Sequence, residues 1–122
     1  MVRYRYNYND WHVGEGWYPI IEEMITKIAA LSEDIEVNIL DIKEKFGGLR
    51  IWIDKPTEEM YEVIRECEDK SYTVCEFCGE PGKYRGSLDW KRTLCDSHFE
   101  EEKQNQKKYA AELGVDEIDE EM

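Results

Sequence analysis

The chain has 122 residues, four cysteines and a formal net charge of −13, with 29 acidic side chains against 16 basic ones. That length fits one domain with a modest core, near the size at which a metal staple helps folding. The charge disfavours a nucleic-acid backbone as partner, no stretch approaches the ~18 apolar residues of a membrane span, and no charged segment followed by an apolar run opens the chain, so a soluble cytoplasmic protein is expected.

Val2, Tyr4, Tyr6 and Tyr8 alternate with Arg3, Arg5 and Asn7, which reads as a strand with one aromatic face. Asp10 to Gly16 reads as a loop. Trp17, Ile20, Ile21, Met24, Ile25, Ile28 and Leu31 then recur at helical spacing, and Pro19 suits a first turn, so a helix is expected over Trp17 to Ser32. Ile35, Val37 and Ile39 alternate, and the run Leu40 to Ile42 shifts face, which marks a bulge. Lys43 to Gly48 closes that strand, with Gly47-Gly48 as the hairpin signal, and Leu49, Ile51 and Ile53 form the next strand. Pro56 stops it. Thr57 is the expected N-cap of a second helix whose apolar face is Met60, Val63, Ile64 and Cys67 and which reaches Lys70.

Cys75-Glu76-Phe77-Cys78 and Cys95-Asp96-Ser97-His98 are separated by sixteen residues. Two thiolates at that spacing grip one metal from a tight turn, and the second pair completes a tetrahedral site of the structural zinc type. A redox C-x2-C pair would need no second half-site, and no βαβ pattern precedes this one. Cys75, Cys78, Cys95 and His98 are therefore the expected ligands of one structural Zn2+. Four protein donors leave no position for water or substrate. Were His98 to point away, three cysteines and a water would make an open site instead, although the His-x-Glu signature of the zinc deaminases is absent. Beyond the site, Asp96 or Ser97 is expected to cap a third helix carrying Phe99, Tyr109, Ala110 and Leu113, with Gly114 ending it and Asp116 to Glu121 forming a solvated tail.

The charge is unevenly spread. Residues 1–70 hold 16 acidic and 9 basic side chains, residues 71–99 hold four of each, and residues 100–122 hold nine acidic and three basic. The expected architecture is α+β: a three-stranded, mostly antiparallel sheet with two helices, plus a zinc-ribbon or knuckle-like module and the third helix. Residues 1–71 form the core, 72–99 the metal module docked on it as one folding unit, and 100–122 the charged helix and tail.

Ile42-Lys43-Glu44-Lys45-Phe46-Gly47-Gly48-Leu49-Arg50, together with Gly16-Trp17-Tyr18-Pro19-Ile20 and the elements Cys75-Glu76-Phe77-Cys78-Gly79 and Arg92-Thr93-Leu94-Cys95-Asp96-Ser97-His98, resembles a family of small proteins of bacteria and their phages. The resemblance covers most of residues 14–99. It implies metal ligation by Cys75, Cys78, Cys95 and His98 and no assigned activity; a phage-encoded member would work in the host-cell cytoplasm as a modulator of a host protein.

Three further features bear on function. The cations Lys43, Lys45 and Arg50 flank adjacent glycines whose exposed N–H groups suit a phosphate or nucleotide, yet the spacing and following helix of a P-loop are missing, and a plain turn explains the same residues. Lys83, Arg85, Lys91 and Arg92 interleave with Tyr84 and Trp90, the composition of a nucleic-acid-binding zinc ribbon, against acidic flanks. Trp52 is the candidate exposed binding aromatic, because Ile51 and Ile53 claim the buried face. Cys67 reads as a core residue, and His12 as a loop histidine without a nucleophile. With no catalytic constellation, the expectation is a non-enzymatic, zinc-stabilised acidic protein that docks on a protein partner, the alternatives being a nucleic-acid-binding ribbon or a nucleotide or small-ligand binder at the Lys43–Arg50 hairpin.

Overall fold

The alternating apolar residues of 37–53 fold into a β-hairpin in the computed structural model, which describes residues 2–4, 11–31 and 37–113. The elements in order are β1 (Val2–Tyr4), a 3-10 turn (Glu15–Trp17), α1 (Tyr18–Leu31), β2 (Val37–Lys45), β3 (Gly48–Ile53), α2 (Glu58–Lys70), a second 3-10 turn (Ser71–Thr73), β4 (Lys83–Arg85), β5 (Arg92–Leu94) and α3 (Asp96–Leu113). Tyr6, Tyr8, Ser32, Ile35, Gly114 and the acidic tail lie outside the described residues.

The class is α+β, but the pairing departs from the expected mostly antiparallel three-stranded sheet. Antiparallel pairing is split between two two-stranded units, β2–β3 and β4–β5, and β1 joins β2 in parallel, Val2 opposite Val37 and Tyr4 opposite Ile39. Parallel neighbours need a long crossover. Here α1 supplies it, so a βαβ unit does precede the C-x2-C pair, contrary to the sequence reading; the cysteines nonetheless lie far from its loops in sequence. The register shift between Ile39 and Asp41 is the expected bulge, and it turns Leu40 outward while Ile39 and Ile42 stay buried.

The buried faces of β2 and β3 pack with Ile21, Met24 and Ile28 of α1 and Met60, Ile64 and Cys67 of α2. Thr57 Oγ1 accepts from the Met60 N–H at 3.1 Å, with Glu58 and Glu59 in the first turn and Lys70 in the last, as the cap and dipole rules require.

The hairpin turn sits one residue earlier than the glycine pair suggested. Phe46 and Gly47 occupy it at φ 55° and 88°, and Gly48 already belongs to β3. Both turn residues are left-handed, as a two-residue turn of the primed type demands. For a bulky residue that conformation costs about 1–2 kcal/mol, more than the ~0.5 kcal/mol an exposed cation–π contact from Lys45 returns. Phe46→Asn is therefore expected to raise the stability by about 1 kcal/mol in denaturant unfolding; a loss would show that the 70% exposed phenyl ring stabilises the free protein.

Candidate metal centre

Four segments converge to build the site. Cys75 follows the second 3-10 turn, Cys78 ends the tight turn Glu76–Cys78, Cys95 stands between β5 and α3, and His98 lies in the first turn of α3. The donor atoms of Cys75, Cys78, Cys95 and His98 all lie within 4.8 Å of one another. Cys78 Sγ is 3.8 Å from Cys95 Sγ, and His98 Nδ1 is 3.5 Å from Cys75 Sγ and 3.3 Å from Cys95 Sγ. A tetrahedral ion with bonds of about 2.3 Å to sulfur and about 2.05 Å to nitrogen has S–S edges of about 3.8 Å and S–N edges of about 3.5 Å. Three of the six donor separations match these edges, so the four side chains could hold one metal ion, His98 through Nδ1. The helix start corrects one expectation: the residue preceding α3 is Cys95, whose Sγ lies 3.5 Å from the His98 N–H and whose carbonyl accepts from the Phe99 N–H at 2.9 Å, so neither Asp96 nor Ser97 caps it.

Burial pushes the Cys75 thiol up, but the N–H groups of Cys95, Cys78 and Phe77 and the Cys78 thiol act against it and bring it down to about 7. N–H groups aimed at a sulfur favour the thiolate, the form that binds metal. Cys67 is the opposite case. Burial pushes its thiol up to about 12, its Sγ lies 3.3 Å from the Ile20 carbonyl, and it belongs to the core rather than to the site.

The residue that sequence reasoning missed is Glu76. Although it stands between two candidate ligands, it is buried, and it ties the knuckle to two distant parts of the chain, the Gly14–Gly16 segment and β5. Its carbonyl accepts from the Gly16 N–H at 2.8 Å, its carboxylate accepts from the Gly14 N–H at 3.1 Å and from Arg92 Nη1 at 2.9 Å, and its own N–H donates to the Thr93 carbonyl at 3.0 Å. Burial raises its carboxyl pKa despite Arg92 and the Gly14 N–H. Beside it, the Trp17 indole donates to the Val74 carbonyl at 2.8 Å, and Thr93 Oγ1 donates to the Gly47 carbonyl at 2.8 Å. The metal module is thus hydrogen-bonded to both the 3-10 turn that leads into α1 and the hairpin turn. The pair Gly14 and Gly16 was the available signal, since glycines so spaced in a polar loop often mark a close backbone approach.

The cations singled out in the zinc loop are mostly internal partners. Arg85 donates from Nη2 to Asp96 Oδ1 at 2.7 Å and from Nε to the Leu94 carbonyl, its guanidinium lies 4.3 Å from the centre of the Phe99 ring, and it holds the Asp96 carboxyl below its usual range. Arg92 bridges Glu76 and Glu102, and Gln106 continues the network from Glu102 to Trp90. Lys91 donates to the Leu88 carbonyl at 3.1 Å, which leaves Lys83 exposed on β4. On the hairpin, Lys43 and Arg50 stand directly opposite each other, Lys45 opposes Gly48, and Trp52 opposes Asp41. Trp52 is exposed, as expected.

Compared with known proteins, the chain matches no protein-family model, no curated protein and no solved structure. No helix among the described residues is long and apolar enough to cross a membrane.

Proposed function

We propose that the chain is a non-enzymatic binding domain, stapled by one Zn2+ at Cys75, Cys78, Cys95 and His98, that acts by docking on a protein partner. The observation that carries this is the donor geometry. Three sulfurs and one imidazole nitrogen lie within 4.8 Å of one another, three of their separations fall near tetrahedral edge lengths, and that donor set suits zinc. Four donors close the coordination sphere, so the ion holds the fold and has no position for a substrate. The other thiol, Cys67, is sealed in the core, and His12 is exposed on a loop; the two do not make a nucleophile and base.

Protein rather than nucleic acid is the partner class that the charge favours. The net charge of −13 repels a phosphodiester chain, and Arg85, Lys91 and Arg92 are already spent on the fold. Elemental analysis of protein purified without added metal is expected to find one zinc per chain, with all four thiols reduced after denaturation in chelator. Far less than one zinc would remove the assignment. Affinity capture with the zinc-loaded domain from an extract of its source organism is expected to retain a protein after nuclease treatment; recovery of nucleic acid alone would overturn the partner class.

A further inference from the structure

The outer face of the hairpin carries three cations that the fold compensates only in part. Lys43 and Arg50 are a directly opposed cross-strand pair, and like charges so placed destabilise a sheet. Lys45 lies two residues along from Lys43, on the same face. The β4–β5 unit contains the same kind of pair, Arg85 opposite Arg92, but there each guanidinium has carboxylate partners in Asp96, Glu76 and Glu102. On the hairpin the compensation is thinner: Asp41 lies 3.6 Å from Lys43, and Glu68 acts on Arg50 without a direct ion pair among the described residues. Arg50 is held by two neutral acceptors, the Leu49 carbonyl at 2.8 Å and the Tyr72 hydroxyl at 3.2 Å, which fix its guanidinium without neutralising it.

Next to this face, along the outer edge of β3, runs a cleft of about 320 Å³ lined by Arg50, Trp52, Ile53, Pro56, Tyr61 and Glu68, among others. Trp52 and Tyr61, 59% and 53% exposed, supply its aromatic walls. The edge itself is closed to an added strand, because the Leu49 N–H donates to Ser71 Oγ and the Ile51 N–H to Glu68 Oε2, each at 3.0 Å. What the cleft accepts is therefore a side chain, and its volume suits one large apolar residue.

We propose that Lys43, Lys45 and Arg50, with Trp52 and the adjoining cleft, dock an acidic peptide segment of a partner protein: one large apolar side chain enters between Trp52 and Tyr61 while flanking carboxylates neutralise the three cations. This rests on the protein-binding reading above and names its surface. A nucleic-acid strand fits less well. It carries a charge every ~3.4 Å, and the acidic first turn of α2, Glu58 and Glu59, follows within two residues of Pro56 at the cleft wall. Glu68 already spends one carboxylate oxygen on the β3 edge, and Arg50 and Arg65 are the cations that act on it.

The test uses the zinc-loaded, 15N-labelled full chain and three probes: acetyl-Asp-Glu-Leu-Trp-Glu-Asp-amide, its Lys/Arg counterpart acetyl-Lys-Arg-Leu-Trp-Arg-Lys-amide, and an oligothymidylate of similar length. The acidic peptide is expected to shift the amides of residues 49–53 and 61–68 and the Trp52 indole saturably, with affinity falling as salt rises. Trp52→Ala and the double variant Lys43→Glu/Lys45→Glu should each weaken it by roughly tenfold or more, with melting temperature and zinc content unchanged. Arg50→Glu should do the same; if it does not fold, the other two variants decide. No shift at millimolar acidic peptide, equal binding of the basic peptide, tighter binding of the oligothymidylate, or full retention in the variants each overturns the proposal. Should the variants and the wild type then capture the same protein from extract, only this surface falls and the protein-binding reading stands; capture of no protein by either removes both.

Discussion

Cys75→Ser is expected to leave the chain without a cooperative fold. A structural zinc site contributes an apparent ~10–16 kcal/mol to folding in peptide hosts, as large as the ~5–15 kcal/mol of a typical domain's whole stability. Cys75 is fully buried, and its N–H and carbonyl are both used within the knuckle, donating to Glu80 and accepting from Gly79. Loss of the ion would not stay local, because Trp17, Gly16 and Gly47 are hydrogen-bonded to the same module. Circular dichroism and thermal melting with and without a strong chelator should give the same result for the wild type in chelator and the variant in zinc: a non-cooperative, largely unfolded chain. Cys67→Ala is the control. It removes a small, neutral, buried side chain at a cost of about 1–2 kcal/mol and leaves zinc content untouched. If the two substitutions behaved alike, Cys67 would belong to the metal site; if Cys75→Ser melted like the wild type, the site would not be a staple.

The cluster of Cys75, Cys78, Cys95 and His98 was legible because metal-binding chemistry dictates a local spacing, two residues within each half-site, that survives any tertiary arrangement. Helices α1 and α2 were legible for a similar reason: apolar positions at three- and four-residue intervals, with Thr57 as a cap, specify their own element. What was not legible depended on distant approach. The polar residue Glu76 looks solvated in a four-residue window, and only the arrival of Gly14, Gly16, Arg92 and Thr93 buries and satisfies it. The alternation of Val2 and Tyr4 identifies a strand but is silent on whether its neighbour runs parallel or antiparallel, and the parallel choice followed from α1 crossing over to β2. Likewise Arg85 and Arg92 read as free cations until β5 and α3 bring carboxylates to them. The adjacent glycines named the hairpin correctly, yet the turn lies at Phe46-Gly47, because β2 stays paired through Lys45 opposite Gly48.

Gly16→Ala is expected to damage the metal site from a position far away in sequence but packed directly against it. A Cβ at this position would stand 2.1 Å from the Cys75 carbonyl oxygen, 2.5 Å from the Gly79 nitrogen and 2.7 Å from the Glu76 carbonyl carbon. All three are backbone atoms of the knuckle, so no side chain can rotate away to make room. Either the 3-10 turn at Glu15–Trp17 withdraws, breaking the Gly16 N–H bond to Glu76 and displacing the buried Trp17 indole from Val74, or the knuckle shifts and spoils the Cys75–Cys78 geometry. Overpacking of a filled core costs about 1–3 kcal/mol, occasionally more, and with no flexible neighbour to yield the expected loss is at or above about 3 kcal/mol. Because the strain bears on two ligands, zinc affinity should fall with stability. Competition against a chromophoric chelator is expected to show at least a tenfold weaker site, and denaturant unfolding at fixed free zinc a correspondingly lower midpoint. Glu15→Ala, exposed on the same turn, should change neither. Wild-type affinity in a folded Gly16→Ala protein would mean that the knuckle sets its own geometry without the turn before α1. Lowered stability with unaltered zinc affinity would place the strain in the Trp17 turn alone.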